Sequence, residues 1–358
     1  MCKNIVFRVD SSWQIGSGHL MRCLTLANQL KEQANITFIC RDLPGNINYL
    51  VEENGFQLLL LPREPENNDL HGYAKWLTVT QEKDFEQTKK LLVGKSVFCL
   101  IIDSYAIDIY WEEKIRPFVQ KIMVIDDLAN RQHDCDILLD QSYHAEPEKR
   151  YENLVPKNCQ LLLGVKYLLF RDEFYEAKKN MRKKDGTVKN IFVFLGGSDI
   201  NGSTMKVLKA LADFTDNIFT VNVVVGKSNI HLQKISQFCD ERANYTCFIQ
   251  VNNVANLMVE ADLAVGAGGI TMWERCFLGL PSLVIALAEN QVDNCQFFQE
   301  KGFIKYLGME NQVTKEDIYN NVANFLNDSA RLQEMREKSL SFISNHEKSL
   351  EKYILGTI

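Results

Sequence analysis

The chain has 358 residues, enough for two domains of about 150–180 residues each. Its 46% hydrophobic and 24% charged residues are ordinary globular values, and a net charge of −6 argues against general nucleic-acid or anionic-membrane binding, leaving room for a local phosphate site. Ten cysteines without a C-x-x-C pair fit neither a zinc site nor a disulfide framework, so reduced thiols and a cytoplasmic location are expected.

The opening run, MCKNIVFRVD, is too short in apolar residues for a signal peptide. No run reaches the ~18 apolar residues of a membrane span; FLGLPSLVIALA is broken by Gly279 and Pro281. NIVFRVD reads as the first strand. It leads into a loop with Gly16 and Gly18, then His19, and a predicted helix over 19–32. G-S-G-H-L-M supplies two glycines of G-x-G-x-x-G but has Met21 in the third place, a weak dinucleotide fingerprint. The glycines still allow close backbone approach to a ligand. His19 has two readings. It is a neutral base, favoured where the positive end of a helix dipole disfavours imidazolium, or it merely caps the helix. Cys23 packs in that helix instead of acting as a nucleophile, since nothing nearby activates its thiol.

Further strands follow at ITFIC, FQLLLL, SVFCLIID, KIMVID and DILLD, with helices at about 82–92 and 109–118. These strands are mostly apolar throughout, as in a parallel sheet covered on both faces. SVFCLIID ends in Asp103, followed by Tyr105. Asp103 either orients His19, receives its proton, or caps an ordinary turn; Tyr105 can hold substrate or water. The D-C-D at 134–136 opens a strand instead of ending one, which speaks against a metal site.

RDEFYEAKKNMRKKDGTVKN is charged and lacks a strand pattern. The predicted division is therefore a first domain over 1–172, a linker over 173–189 and a second domain over 190–358. The strand–helix rhythm restarts at NIFVFLGGSD. Gly196, Gly197 and Ser198 can offer consecutive amides to a phosphate, aided by the helix at 203–213, or form a tight turn. GKS at 226–228 is no Walker A loop, because Val221 stands where the first glycine is needed. Strands at FTVNVVVG, YTCFIQ, DLAVGAG and PSLVIALA alternate with helices at about 230–240, 254–260, 271–279 and 291–301. Gly268 and Gly269 precede Ile270, Thr271 and Glu274 at a helix start. That places a carboxylate one turn inside the helix, suited to ribose hydroxyls or simply to the helix dipole. Asn290 and Gln291 open another helix with two amides for a sugar or phosphate. Helices at about 314–327 and 329–345 close the chain. In open α/β sheets ligands sit beyond the carboxyl ends of the strands, so loops of both halves are expected to share one cleft.

The pieces FRVDSSWQIGSGHLMRCLTLA, DSY, DDLANRQHDCDILLDQ, LLGVKYLLFRDEF, FLGGSD and GAGGITMWERCFLGLPSLV…ENQ, in this order from about residue 4 to 300, resemble the nucleotide-sugar hydrolase of pseudaminic acid biosynthesis. The second glycine block is also similar to that of wider GT-B glycosyltransferases. The resemblance implies an α/β, GT-B-like fold: two Rossmann-like domains with parallel sheets facing across a cleft. It implies hydrolysis of UDP-2,4-diacetamido-2,4,6-trideoxy-β-L-altropyranose by water at the anomeric carbon, with inversion. His19 matches the catalytic base, and Tyr105 the tyrosine near it and the sugar. Glu274 matches the ribose-binding glutamate; Asn290 and Gln291 match the pair beside the sugar and β-phosphate. UDP is expected mainly on the second domain, with no metal, no other cofactor, no nucleic-acid or membrane partner, and a monomeric state. The last residues carry no motif, and their helices are expected to pack back as in GT-B proteins. The alternatives are a GT-B glycosyltransferase with a UDP-sugar donor and a nucleotide-sugar-binding protein without turnover.

Overall fold

The computed structural model describes residues 2–65, 67–144, 146–197, 199–215, 219–251, 253–344 and 346–356. The chain divides into two units, Met1–Leu169 with His346–Ile358, and Phe170–Asn345.

The first unit holds strands β1 Lys3–Val9, β2 Ala34–Arg41, β3 Gln57–Leu61, β4 Val97–Asp103, β5 Val119–Ile125, β6 Ile137–Asp140 and β7 Gln160–Leu163. They form one parallel sheet in the order β3-β2-β1-β4-β5-β6-β7. Alternate side chains enter cores on opposite faces. Ile5, Phe7 and Val9 lie in one cluster with Cys99 and Ile101; Val6 lies in the other with Leu100 and Ile102. This two-sided burial explains the unbroken apolar runs. Phe7 and Phe38 stack at 4.7 Å between ring centroids.

The second unit holds β8 Asn190–Phe194, β9 Thr220–Val225, β10 Tyr245–Ile249, β11 Leu263–Ala267, β12 Ser282–Ala286 and β13 Lys305–Met309. Its parallel order, β10-β9-β8-β11-β12-β13, repeats the plan of the first. In both sheets the strand order reverses beside the first strand of the unit, between β1 and β4 and between β8 and β11. Such a switch point opens a crevice at the carboxyl ends.

Two boundaries differ from the sequence reading. The expected linker begins with a helix, Asp172–Lys179, whose Phe174 and Ala177 are buried. Glu173 Oε2 accepts from the Ala255 amide at 3.3 Å, so the segment is packed within the second unit. Its i, i+3 apolar pair is hidden among charges. The final segment belongs to the first unit, because Leu350, Ile354 and Leu355 join the core around Leu26, Ala27 and Leu30. Two short edge-side strands, β7 and β13, also lay outside the sequence assignment; each has only four or five residues, and β13 contains Gly308 at positive φ.

Candidate active site

The first switch point carries His19. Strand β1 ends beside β4 with Val9 paired to Asp103, so the loop after β1 and the end of β4 are neighbours. The loop is held tightly. Asp10 Oδ1 accepts from the Arg41 amide at 2.6 Å, Ser11 Oγ from the Ile47 amide at 3.0 Å, and the Trp13 amide donates to Pro44 O at 3.1 Å. Gly16 turns with φ +82°, a region that favours glycine. The helix Gly18–Leu30 then starts from Ser17, with no side-chain cap. His19 is therefore inside the first turn and is not a cap.

Its imidazole is oriented by a carboxylate. His19 Nδ1 lies 2.6 Å from Asp103 Oδ1. Arg22 grips the same carboxylate, with Nε to Oδ2 at 2.6 Å and Nη2 to Oδ1 at 2.6 Å. Arg22 Nη2 also approaches His19 Nδ1 at 3.2 Å. The two demands on Nδ1 conflict, since Asp103 accepts a proton bond and Arg22 only donates. The shorter contact with a full negative charge decides for Nδ1–H. Nε2 then keeps its lone pair, and it has no hydrogen-bond partner among the described residues. Burial by itself would raise the Asp103 carboxyl, but the Arg22 charge, followed by His19, outweighs it and holds Asp103 well below the usual carboxylate range. Asp103 thus orients the imidazole and stays ionised instead of accepting its proton. Burial and the neighbouring Asp103 push the Cys23 thiol far up, so Cys23 is packing.

Four residues at this site escaped sequence reading. Arg22 is one. Asp127 accepts from the Tyr105 hydroxyl and lies 3.4 Å from Arg22 Nη1. Burial, then Asp127, raises Tyr105 well above its ordinary value, so it stays a neutral phenol. Trp76 stacks on Tyr105 at 5.1 Å and stands edge-on to His19 at 5.5 Å. Tyr73 meets both Trp76 and Tyr105, at 5.0 and 5.1 Å. These two rings come from the short helix Gly72–Leu77, which no motif announces. The D-C-D aspartates lie elsewhere, with both Asp134 and Asp136 bound by Arg116.

The second switch point carries two glycine turns, after β8 and after β11, with Phe194 paired to Gly266. They are not equivalent. After β8, Gly196 has φ +89°, while Ser198 lies outside the described residues. The helix that follows, Ser203–Leu211, is already capped by an anion. Asp199 Oδ1 and Oδ2 accept from the Ser203 and Thr204 amides at 2.9 and 2.8 Å. The dipole expected to assist Gly196 and Gly197 is answered within the chain, and a phosphate there would face the Asp199 carboxylate.

After β11 the situation is open. The helix Ile270–Phe277 starts at Gly269 with no side-chain cap and no acid in its first turn. Among the described residues the Ile270 and Thr271 amides have no partner. Gln291 covers the turn, with Oε1 fixed by the Leu287 amide at 2.9 Å; a Cβ on Gly268 would meet Cys295 Sγ at 2.4 Å and Gln291 Oε1 at 3.3 Å. Gly268 must therefore stay glycine, whereas a Cβ on Gly269 would meet only Gln291 Nε2, at an ordinary 3.6 Å. Asn290 is exposed on the same short turn, Glu289–Gln291. Glu274 is 4% exposed. Its Oε1 accepts from Arg171 at 3.2 Å, whereas its Oε2 is buried with no partner. An unanswered buried carboxylate oxygen is costly unless a donor arrives.

The predicted site residues thus gather in two groups. Gly16, Gly18, His19, Asp103 and Tyr105 belong to the first unit. Gly196, Gly197, Gly268, Gly269, Ile270, Thr271, Glu274, Asn290 and Gln291 belong to the second. No helix of the described residues is long and apolar enough to cross a membrane.

The glycosyltransferase family 28 C-terminal domain model matches residues 190–353. The chain is 30% identical over 301 residues to the UDP-2,4-diacetamido-2,4,6-trideoxy-β-L-altropyranose hydrolase of Campylobacter jejuni, covering 84% of this chain and 97% of that one. It is 24% identical over 227 residues to a Helicobacter pylori protein named pseudaminic acid cytidylyltransferase and UDP-2,4-diacetamido-2,4,6-trideoxy-β-L-altropyranose hydrolase, covering 61% of this chain and 39% of that one. Among solved structures, the spinosyn rhamnosyltransferase SpnG complexed with thymidine diphosphate superimposes with a TM-score of 0.67 at 14% identity, covering 99% of this chain and 100% of that one. At that identity the likeness shows the fold alone, and it is the GT-B fold of two Rossmann-like units.

Proposed function

We propose the following function from one premise: the chain belongs to the family of the UDP-2,4-diacetamido-2,4,6-trideoxy-β-L-altropyranose hydrolases. It is an enzyme that splits that UDP-sugar into UDP and 2,4-diacetamido-2,4,6-trideoxy-L-altrose. The observation that carries the reading is the Asp103–His19 pair, with Nδ1 bound at 2.6 Å and Nε2 left as an acceptor. Water hydrogen-bonded to Nε2 loses a proton to it while its oxygen attacks C1. The C1–O bond breaks on the opposite face, and its electrons leave on the β-phosphate of UDP. The Ile270 and Thr271 amides and the dipole of their helix receive that charge. Glu274 Oε2 takes the ribose hydroxyls. Asn290 and Gln291 hold the sugar and β-phosphate, and Gly16 and Gly18 leave room for sugar and water. No step needs a metal or another cofactor.

The test is turnover of the UDP-sugar in ¹⁸O-water. Attack at C1 leaves the released UDP unlabelled, because the anomeric hydroxyl alone carries water oxygen. Label in the β-phosphate of UDP would refute attack at C1. Early NMR spectra, taken before mutarotation, should show the inverted anomer. A product glycosidically joined to an added acceptor would instead establish a glycosyltransferase.

Two mutational outcomes follow from the same reading. Glu274→Ala removes charge-assisted bonds to ribose, each worth about 1.5–3 kcal/mol. UDP affinity should fall about 10–100-fold, and the variant should no longer distinguish UDP from 2′,3′-dideoxy-UDP in calorimetry. Trp76→Ala removes the ring stacked on Tyr105. A sugar with a 6-methyl and two acetyl groups is unusually apolar, and losing that wall should raise KM roughly tenfold. UDP inhibition should stay unchanged in the same kinetics.

A further inference from the structure

We propose that Arg275 is the counter-charge for the diphosphate of the nucleotide, a positioning residue that acts from beneath the Gly268–Gly269 turn. This inference rests on the UDP reading of that turn.

Four arginines are buried in the described structure, and three have carboxylate partners. Arg8 pairs with Asp10 and Asp84, Arg41 with Asp84, and Arg22 with Asp103. Arg275 is fully buried and bonds only to neutral oxygens. Nη2 donates to Ala267 O at 2.8 Å, Nε to Ser282 Oγ at 3.1 Å and Nη1 to Thr271 Oγ1 at 3.2 Å. No carboxylate among the described residues forms an ion pair with it; its neighbour Glu274 is bound to Arg171. Burial pushes Arg275 down to about 10, which leaves it charged at neutral pH.

Glu274 next to it favours the charge without bonding to it, and a buried charge with no bonded counter-ion is unfavourable. Its placement adds to that. Helical side chains lean toward the N-terminus of their helix, and Arg275 reaches back to residues 267 and 271. Its cation therefore sits at the positive end of the helix dipole, where cations are disfavoured. The chain nevertheless reserves the space. A Cβ at Gly266 would meet Arg275 Nη1 at 2.5 Å, so Gly266 stays a glycine to admit the guanidinium. One partner relieves both costs: an anion at the turn, held by the open Ile270 and Thr271 amides. Arg275 Nη1 occupies one side of the Thr271 hydroxyl as donor, which turns its O–H toward that anion. Two adjacent phosphates suit this field better than one, and uridine gains nothing from it.

The test compares UDP with uridine by calorimetry on wild type, Arg275→Met, Arg275→Gln and Arg275→Lys, with unliganded melting temperatures beside them. Wild type should prefer UDP strongly. The two neutral variants should lose roughly ten- to thirtyfold of that preference, with uridine affinity unchanged, and Arg275→Lys should restore much of it. A merely structural arginine would weaken UDP and uridine alike. Should Arg275→Met fail to fold, the Lys–Gln comparison decides, because Gln keeps a donor for Ala267 O without the charge. Neutral variants that keep the full UDP preference overturn the inference and leave the UDP reading standing. A wild-type protein that binds UDP no better than uridine overturns both.

Discussion

His19→Ala should lower kcat for UDP release by about 10²–10⁴-fold, with UDP affinity and melting temperature close to wild type. Among the described residues the imidazole Nε2 has no hydrogen-bond partner, and its removal costs the fold little. Asp103 keeps both short bonds from Arg22, so no buried charge is stranded. Steady-state kinetics with a UDP detection assay and thermal melting check this together. Near-wild-type turnover would remove His19 from the chemistry.

Asp103→Asn should cost as much activity and far more stability. An amide can present N–H to Nδ1, which moves the imidazole proton to Nε2 and blinds the base. The expected fall in kcat is again about 10²–10⁴-fold, and the double variant with His19→Ala should fall little further, because the pair acts as a unit. Unlike His19→Ala, this change leaves buried Arg22 with only the longer 3.4 Å contact to Asp127, at up to about 3–5 kcal/mol. The pH dependence has a definite sign. Asp103 is depressed in the folded state, so its stabilising contribution is present above the unfolded carboxyl value of about 3.9. It is lost as pH falls through the lower folded value. The melting-temperature gap between wild type and Asp103→Asn should therefore be widest near neutrality and close in acid. A constant gap down to strong acid would contradict it.

The apolar strands, the two-unit plan and the positions of His19, Asp103 and Tyr105 were legible in the sequence, because both-face burial and strand-to-helix turns leave local marks. What was not legible depends on contacts distant along the chain. Arg22 reads as an ordinary surface residue of an amphipathic helix until Asp103 is placed 81 positions later. Trp76 and Tyr73 sit in a polar stretch with no periodicity. Gly196 and Gly197 read as a phosphate loop or a tight turn; the bidentate capping of Ser203 and Thr204 by Asp199 appears only once the turn is built. Arg275 follows Glu274 within a helix start, and nothing local says that one is buried against neutral oxygens. The tail was placed in the second domain by its position in the chain, while its packing in the core that holds Leu26, Ala27 and Leu30 leaves no local mark.

That returning tail bears on how the protein is made. Leu350 donates its amide to Gln29 Oε1 across 321 positions, and Gln29 lies on the helix that carries His19. The second unit is one uninterrupted stretch and can fold as it leaves the ribosome. The first unit cannot finish. At about 5–20 residues per second, the His19 helix waits on the order of tens of seconds for Leu350, Ile354 and Leu355 to complete the core it shares with them. A nascent chain therefore completes its second unit before its first, and the helix that carries His19 gains its last core partners only once Leu350, Ile354 and Leu355 have emerged.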